Sequence, residues 1–145
     1  MQVRPVTIDD YAQWQGLYTA YAAFYQVDQT PDMRARVWSW LMDPAHEVNG
    51  LVAEQGGSLI GLAHYRPYAR PLSASTGGFL DDLFVANAAR GMGAGRALIA
   101  ALSDIGRAKG WSVLRWITAD SNQTARALYD QVATQTPWVT YDTKL

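Results

Sequence analysis

Hydrophobic positions alternate between helical and strand-like spacing along the 145-residue chain. Apolar side chains recur every three or four residues from Tyr11, from Pro31, from about Gly93 to Lys109 and from Asp120, which predicts four helices. Short apolar runs between them predict strands at residues 3–6, 47–54, 58–65, 79–85, 111–118 and 137–141. The pattern therefore predicts one α/β domain over residues 1–145, with a mixed, mostly antiparallel sheet flanked by helices on both faces.

Turn-forming residues support these boundaries. Gln55-Gly56-Gly57 separates two strand-like runs and predicts a hairpin, and Gly110 predicts the end of the third helix. Residues 67–78, rich in Pro, Ser, Gly and Thr, are predicted to form a loop. The unit at 79–118 reads as a right-handed βαβ crossover, with a ligand expected at the carboxyl ends of its parallel strands.

A glycine-rich segment follows the predicted strand 79–85 and opens the third helix. Glycines leave the backbone N–H groups accessible, and a helix start adds unpaired donors and a partial positive charge, so the segment predicts a diphosphate site. It lacks the Lys-Ser/Thr pair of a P-loop, and its third glycine falls one residue early for a dinucleotide fingerprint. The segment consists of Arg90, Gly91, Met92, Gly93, Ala94, Gly95 and Arg96.

Arg90-x-x-Gly93-x-Gly95 resembles the pyrophosphate-binding signature of the GCN5-related N-acetyltransferases (GNAT family). Residues 122–129 resemble a second segment of that family, Asn-x-x-Ala-x-x-x-Tyr, and the predicted element order matches the family fold across almost the whole chain. The resemblance implies that residues 90–96 bind the pyrophosphate of acetyl-CoA. It also implies that the strand 79–85 splays away from the strand 111–118.

The same resemblance implies roles for individual residues. The backbone of Leu83, Phe84 and Val85 would pair with pantetheine, and an N–H group there would polarise the thioester carbonyl. Asn122 would bind the pantetheine arm, and the Tyr129 hydroxyl would protonate the departing thiolate. The residues themselves leave alternatives open, because Asn122 could cap a helix and Tyr129 could be a packing aromatic.

Two adjacent carboxylates lie in the predicted central strand. Asp81 occupies the place of a glutamate that, in amine-acetylating members of the family, accepts the proton of the amine, and its shorter side chain favours a water relay. Strand alternation predicts that Asp81 and Asp82 point to opposite faces of the sheet, with Asp82 in a structural role. A structural ion pair remains the alternative for Asp81.

Composition narrows the classes of function. With no Cys, the chain has no disulfide, thiolate metal site or cysteine nucleophile, and His46 and His64 lack metal-ligand spacing, so we expect no metal. The net charge of −1 disfavours nucleic-acid binding, although residues 1–89 carry −4 and residues 90–145 carry +3. No apolar run predicts a membrane span and the first residues do not resemble a signal peptide, so we expect a cytoplasmic protein.

The sequence therefore predicts direct acetyl transfer from acetyl-CoA to a small primary amine such as a polyamine or an amino acid, in a ternary complex. The alternatives are a protein, histone-tail or N-terminal acetyltransferase and a non-catalytic acyl-CoA sensor. The family builds its acceptor pocket on the first two helices, which are rich in Trp and Tyr here. The predicted terminal strand 137–141 favours a homodimer through edge pairing.

Overall fold

The computed structural model describes all 145 residues. The chain forms five strands and four α-helices. In order they are β1 (Gln2–Pro5), α1 (Tyr11–Phe24), α2 (Pro31–Met42), β2 (Asn49–Gln55), β3 (Ser58–Arg70), β4 (Ser75–Val85), α3 (Ala94–Lys109), β5 (Leu114–Arg115) and α4 (Gln123–Val132). None of the helices combines the length and the apolar character needed to cross a membrane.

The five strands form one sheet in the order β1-β2-β3-β4-β5. The first four are antiparallel neighbours, whereas β4 and β5 run parallel because α3 connects them. This confirms the predicted mixed, mostly antiparallel sheet. The predicted start of α2 and end of α3 are also confirmed: Thr30 caps α2 with Pro31 in its first turn, and α3 ends at Gly110, which has a left-handed backbone.

Each face of the sheet is covered by two helices. Along β2, Leu51 and Ala53 join the cluster under α3, while Val52 joins the cluster under α1. The α3 cluster contains Leu98 and further apolar residues of α3 and takes side chains of α4 at its margin. The α1 cluster is centred on Trp14 and takes α2 side chains at its margin. Helices on both faces are thus confirmed.

The predicted loop at 67–78 is wrong, because β3 and β4 continue through it as a long hairpin. Pro67 lies opposite Gly78, whose N–H is donated to Val113 on the other side, so the missing N–H of the proline costs no ladder bond. A Cβ at Gly78 would lie 2.3 Å from the Trp111 ring. Gly78, one of the residues that suggested a loop, instead allows the Trp111 ring to approach the strand closely.

Two predicted strands also differ from the structure. The run 111–118 forms only the two-residue strand β5, and the predicted strand 137–141 is absent. No helix or strand follows α4, and Trp138, Val139 and Tyr141 are each at least 78% exposed. A strand needs a neighbouring backbone to pair with, and this segment has none within its own chain.

Candidate functional site

The glycine-rich segment forms a loop that ends on the amino terminus of α3. Gly91 and Gly93 have positive φ angles, +81° and +84°, in the left-handed region that disfavours residues with a Cβ. The first bond of α3 runs from the Ala97 N–H to the Gly93 carbonyl, so the N–H groups of Ala94 and Gly95 have no partner within the helix. These donors give the loop the character of an anion site.

The last three residues of the segment, Ala94, Gly95 and Arg96, pack against or bond to other parts of the fold. Ala94 is buried in the α3 cluster, and a Cβ at Gly95 would lie 3.3 Å from Leu128 of α4. Gly95 is therefore small because α4 packs closely against α3. The side chain of Arg96, on α3, donates to the side-chain oxygen of Gln131 on α4.

Two exposed side chains complete the loop. The Arg90 guanidinium lies 5.4 Å from the centre of the Phe24 ring, which ties the loop to the end of α1. Met92 is exposed. The segment at 90–96 thus combines N–H groups that have no partner within α3 with two arginines, Arg90 and Arg96, that contact α1 and α4.

Beside this loop, β4 and β5 are paired for only two residues. Gly78 lies opposite Leu114 and Phe79 lies opposite Arg115, and no pairing continues toward Val85. The last six residues of β4 therefore have an open outer edge. This separation of the two strands is the one that the family resemblance implied.

The backbone of β4 alternates between its β3 neighbour and this open edge. The Ala86 N–H is donated to Ile60 of β3, so period-two alternation also turns the backbone of Phe84 toward β3. The N–H groups of Leu83 and Val85 then face the open edge. The Phe84 side chain packs in the α1 cluster. An extended ligand in the gap would find donors at Leu83 and Val85.

A cavity of about 390 Å³ lies between the end of α1 and the start of α4, and we call it the α4 cavity. It is lined by Phe24, Tyr25, Ala119, Ser121, Asn122, Gln123 and Thr124. The Asn122 side-chain oxygen accepts from the Ala125 N–H at 3.4 Å, so Asn122 caps α4 while also lining the cavity.

Tyr129 lies on α4 at the margin of the α3 cluster, with its ring centre 5.4 Å from that of Trp116. Burial raises the pKa of its phenol to about 12, and the neighbouring Tyr25 adds to the shift. At neutral pH the hydroxyl therefore keeps its proton and can donate it. Tyr129 thus packs against Trp116 and keeps a protonated hydroxyl that interacts electrostatically with Tyr25, a residue that lines the α4 cavity.

A second cavity, of about 410 Å³, lies between β4 and the first two helices, and we call it the β4 cavity. It is lined by Tyr18, Val37, Trp40, His46, Glu47, Val48, His64, Arg66, Asp81 and Asp82. Its walls come from α1, α2, β3, β4 and the segment before β2. The resemblance implied an acceptor pocket on the first two helices, and this cavity is the candidate for it.

Both carboxylates of β4 line this one cavity, so the predicted placement of Asp81 and Asp82 on opposite faces is wrong. The register with β3 shifts at this point: His64 pairs with Asp82, but Tyr65 pairs with Leu80, which leaves Asp81 without an opposite residue. Such a β-bulge changes the phase of alternation. In a regular strand Leu80 and Phe84, four residues apart, would lie on the same face of the sheet. Here Leu80 packs in the α3 cluster and Phe84 in the α1 cluster, as expected when a bulge lies between them.

The two carboxyl groups have opposite pKa shifts. Burial raises the pKa of Asp81 above 3.8, against the opposing effect of Arg66, whose Nε lies 3.2 Å from Oδ2. Burial also acts on Asp82, but hydrogen bonds from His64 and Tyr18 outweigh it and hold the pKa of Asp82 below 3.8. Neighbouring carboxylates with divergent pKa values suit separate tasks in one site.

Sequence reasoning missed the side chains that hold Asp82. His64 lies 2.8 Å from Asp82 Oδ2, and the Tyr18 hydroxyl lies 3.0 Å from the same oxygen. Trp14 donates to His64 at 2.9 Å. These partners are 18 to 64 residues apart in the chain, and no local spacing could connect them. The pairing of β3 with β4 and the packing of α1 bring them together.

Comparison with known proteins gives consistent results. The model of the Acetyltransferase (GNAT) family matches residues 14–133. The D-amino-acid N-acetyltransferase HPA3 of Saccharomyces cerevisiae is 28% identical over 141 residues, covering 96% of this chain and 88% of the yeast protein. The uncharacterized N-acetyltransferase YhfO of Bacillus subtilis is 33% identical over 132 residues, covering 90% of this chain and 87% of the other.

Solved structures share the fold at lower identity. The ribosomal-protein-alanine N-acetyltransferase of Brucella melitensis biovar Abortus 2308 superposes with a TM-score of 0.82 at 24% identity, covering all of both chains. AAC(6')-Iy, in complex with the bisubstrate analogue CoA-S-monomethyl-acetylneamine, gives 0.84 at 21% identity, covering 99% of this chain and 97% of that one. With the family model matching most of its length, this chain belongs to the GNAT family of acetyltransferases.

Proposed function

We propose that this enzyme transfers the acetyl group of acetyl-CoA to a small primary amine by direct attack in a ternary complex. The observation that carries the proposal is the arrangement along β4. The strand contributes two carboxylates to the β4 cavity and, a few residues later, an open backbone edge that ends near the glycine-rich loop. An amine and an extended thioester would therefore meet on one strand, which supplies proximity.

The cofactor side relies on backbone groups. The pyrophosphate of acetyl-CoA would take the outward N–H groups at the start of α3, and pantetheine would extend along the open edge of β4 toward Asn122. The N–H of Leu83 or Val85 would donate to the thioester carbonyl oxygen as negative charge develops there. AAC(6')-Iy, which shares the fold, has been solved with CoA bound.

The acceptor side is acidic and aromatic. Three carboxylates, Glu47, Asp81 and Asp82, line the β4 cavity against the single guanidinium of Arg66. Tyr18 and Trp40 add ring surfaces that attract cations. This charge balance favours a molecule that carries an ammonium group. The yeast relative is named for D-amino acids, which carry such a group at neutral pH.

The reaction balances with three proton transfers. The ammonium group first loses a proton to Asp81, through water, because the raised pKa of Asp81 makes it the better proton acceptor of the two carboxylates. The amine nitrogen then attacks the thioester carbon, and collapse of the adduct breaks the C–S bond. The sulfur leaves as a thiolate and takes the hydroxyl proton of Tyr129. The nitrogen, which still carries one extra proton after its attack, passes that proton through water to the Tyr129 phenolate, which restores the phenol.

A thiol-release assay with acetyl-CoA tests the proposal. The acceptors are 1,4-diaminobutane, paired D- and L-amino acids, and a lysine-containing peptide, with butanol as a control that carries no amine. We expect release with the small amines and mass-spectrometric detection of the N-acetyl product. Release with the peptide alone would replace the small acceptor by a protein. Acetyl-CoA binding without release for any amine would support a sensor and overturn the proposal.

We also infer that the protein works as a homodimer, formed through the C-terminal segment 133–145. In this segment Trp138, Val139 and Tyr141 are exposed, and in the sheet β5 is an edge strand with the exposed Ile117 just beyond it. A cluster of exposed apolar side chains indicates an interface. Pairing of residues 137–141 with β5 of a second copy would cover both surfaces around a two-fold axis.

Light scattering tests this assembly: we expect twice the chain mass of 16.0 kDa, and a monomer would overturn it. Because the chain has no Cys, the double variant Ile117→Cys/Val139→Cys reports on pairing without interference. A disulfide between two chains supports pairing of residues 137–141 with β5 of a second copy. A disulfide within one chain shows that the segment pairs with its own β5 and contradicts this interface. Trp138→Glu should shift the dimer toward monomer.

A further inference from the structure

His64 occupies a buried position between two polar groups. Its side chain is 2% exposed on β3, with Nδ1 2.8 Å from Asp82 Oδ2 and Nε2 2.9 Å from the Trp14 indole nitrogen. An indole N–H is a donor only, so Nε2 of His64 must accept from Trp14. The ring proton therefore resides on Nδ1 and is donated to Asp82. This hydrogen-bond network assigns the tautomer.

Trp14 is held as firmly as His64. Its side chain is 1% exposed in the α1 cluster, and its ring contacts those of Tyr11, Tyr18 and Trp38 at centre distances of 5.0 to 6.2 Å. The indole direction is therefore set by the docking of α1 and α2 on the sheet. The order Trp14 to His64 to Asp82 runs from the core to the β4 cavity.

The chain of hydrogen bonds has no exit for a proton. A neutral indole does not accept one, and Nε2 of His64 is already occupied. A proton taken up by Asp82 therefore has no route to solvent through His64. Tyr18 donates its hydroxyl to the same Oδ2 atom, and burial raises the pKa of that phenol, so Tyr18 also remains a donor. Tyr21 of α1 also hydrogen-bonds to Asp82, and the carboxylate still lines the β4 cavity, where it can meet a ligand.

We propose that Trp14 and His64 are positioning residues that fix Asp82 as a permanent carboxylate, and that Asp82 anchors the ammonium group of the acceptor without taking its proton. The proposal rests on the proposed function for the identity of the acceptor as an amine. It divides the two carboxylates of β4: Asp82 binds the cation and Asp81 removes the proton. The affinity for the ammonium group then depends on the hydrogen bonds that connect Trp14 in the core through His64 to Asp82.

Nitrogen NMR of the two histidines tests the tautomer directly. His46 provides an internal contrast, because its Nδ1 accepts from the Val48 N–H, which leaves Nε2 to carry the proton. In long-range proton–nitrogen spectra we expect pyrrole-type Nδ1 and pyridine-type Nε2 for His64. The variant His46→Gln assigns the signals. A proton on His64 Nε2, or on both nitrogens at neutral pH, would overturn the proposal.

Binding of the butylammonium ion, followed by NMR in the absence of acetyl-CoA, tests the anchor, with neutral butanol as the control ligand. An Asn amide can donate where Nδ1 does, and a Leu side chain cannot. We expect His64→Leu to weaken butylammonium binding about tenfold or more and His64→Asn to restore most of it. Affinity for CoA should stay within twofold of wild type in both variants.

Equal binding by the Leu and Asn variants, or no butylammonium binding by the wild type, overturns the anchor. If His64→Leu does not fold, Trp14→Phe replaces it: the ring is kept but the N–H is lost, and we expect a mixture of His64 tautomers. An unchanged His64 spectrum in that variant also overturns the proposal. A protein that keeps the tautomer and binds butylammonium but acetylates no amine would refute the proposed reaction and leave the anchor standing.

Discussion

The two sides of the site are built differently. On the proposed cofactor side, backbone groups of three short segments would bind the ligand: the loop at 90–96, the edge of β4 and the start of α4. On the acceptor side, the β4 cavity is assembled from side chains of five separate segments, and its central carboxylate is held by partners up to 64 residues away. We therefore expect the backbone donors to tolerate different acyl-CoA molecules and the side chains of the β4 cavity to select the acceptor.

This difference shows which parts of an acetyltransferase can diversify independently. A backbone cradle depends on a few glycines and on a helix start, so most side chains around it can change without loss. The acceptor cavity changes whenever α1, α2 or β3 presents another side chain. A substitution on one side should therefore leave the other side intact.

Tyr129→Phe should give the largest loss. Removing the hydroxyl leaves the packing against Trp116 in place but deprives the thiolate of its proton donor, so kcat should fall by roughly 10²–10⁴-fold. Steady-state kinetics with 1,4-diaminobutane measures it. Tyr68→Phe is the matched control, because the buried Tyr68 hydroxyl has no hydrogen-bond partner. A loss below about threefold would return Tyr129 to a packing role.

Asp81→Asn should show a loss that depends on pH. At pH 6 the acceptor is almost fully protonated, and without a proton acceptor turnover should fall by about 10²-fold. The loss should shrink as pH rises toward the pKa of the amine. In the wild type, kcat/KM should fall on the acid side as Asp81 protonates, at a pH above the ordinary range for Asp because its pKa is raised. Parallel pH profiles for the two proteins would rule out proton transfer by Asp81.

Gly93→Glu should weaken cofactor binding while leaving the β4 cavity intact. A residue with a Cβ at φ +84° is strained by about 1–3 kcal/mol, and the new carboxylate repels pyrophosphate, so the Kd of acetyl-CoA should rise about 10- to 100-fold. Calorimetry measures it. Gly57→Glu, at φ +79° in the β2–β3 turn, carries the same strain and charge elsewhere and should bind normally. Equal affinities in both variants would remove the loop from the cofactor site.

Asp82→Asn should give the smallest effect, confined to the acceptor side. A hydrogen bond to a charged group contributes about 1.5–3 kcal/mol, so the KM for the amine should rise about tenfold or more with kcat changed much less. The KM for acetyl-CoA should be unchanged. Asp104→Asn, on the exposed surface of α3, serves as the charge control. A fall in kcat at constant KM would assign Asp82 to the chemical step.

Much of the fold could be predicted because its signals are local. The helices α1 and α3 follow apolar residues at helical spacing, and Thr30-Pro31 and Gly110 mark ends through their own backbone preferences. The errors in predicting secondary structure arose in segments whose conformation depends on contacts with residues far away in the sequence. The segment 67–78 is a hairpin because Gly78 admits Trp111, and the segment 137–141 has strand-like residues but no strand beside it.

The sequence by itself predicted the proposed cofactor side, because a left-handed turn, an unpaired N–H and a helix start are properties of adjacent residues. The candidates Gly93, Asn122 and Tyr129 came from the resemblance of residues 90–95 and 122–129 to two family segments. Only the tertiary structure decided the acceptor side. A bulge opposite His64 brought Asp81 and Asp82 into one cavity, and the docking of α1 set Trp14 and Tyr18 around them. Contacts between residues that are far apart in the chain leave no periodic trace in the sequence.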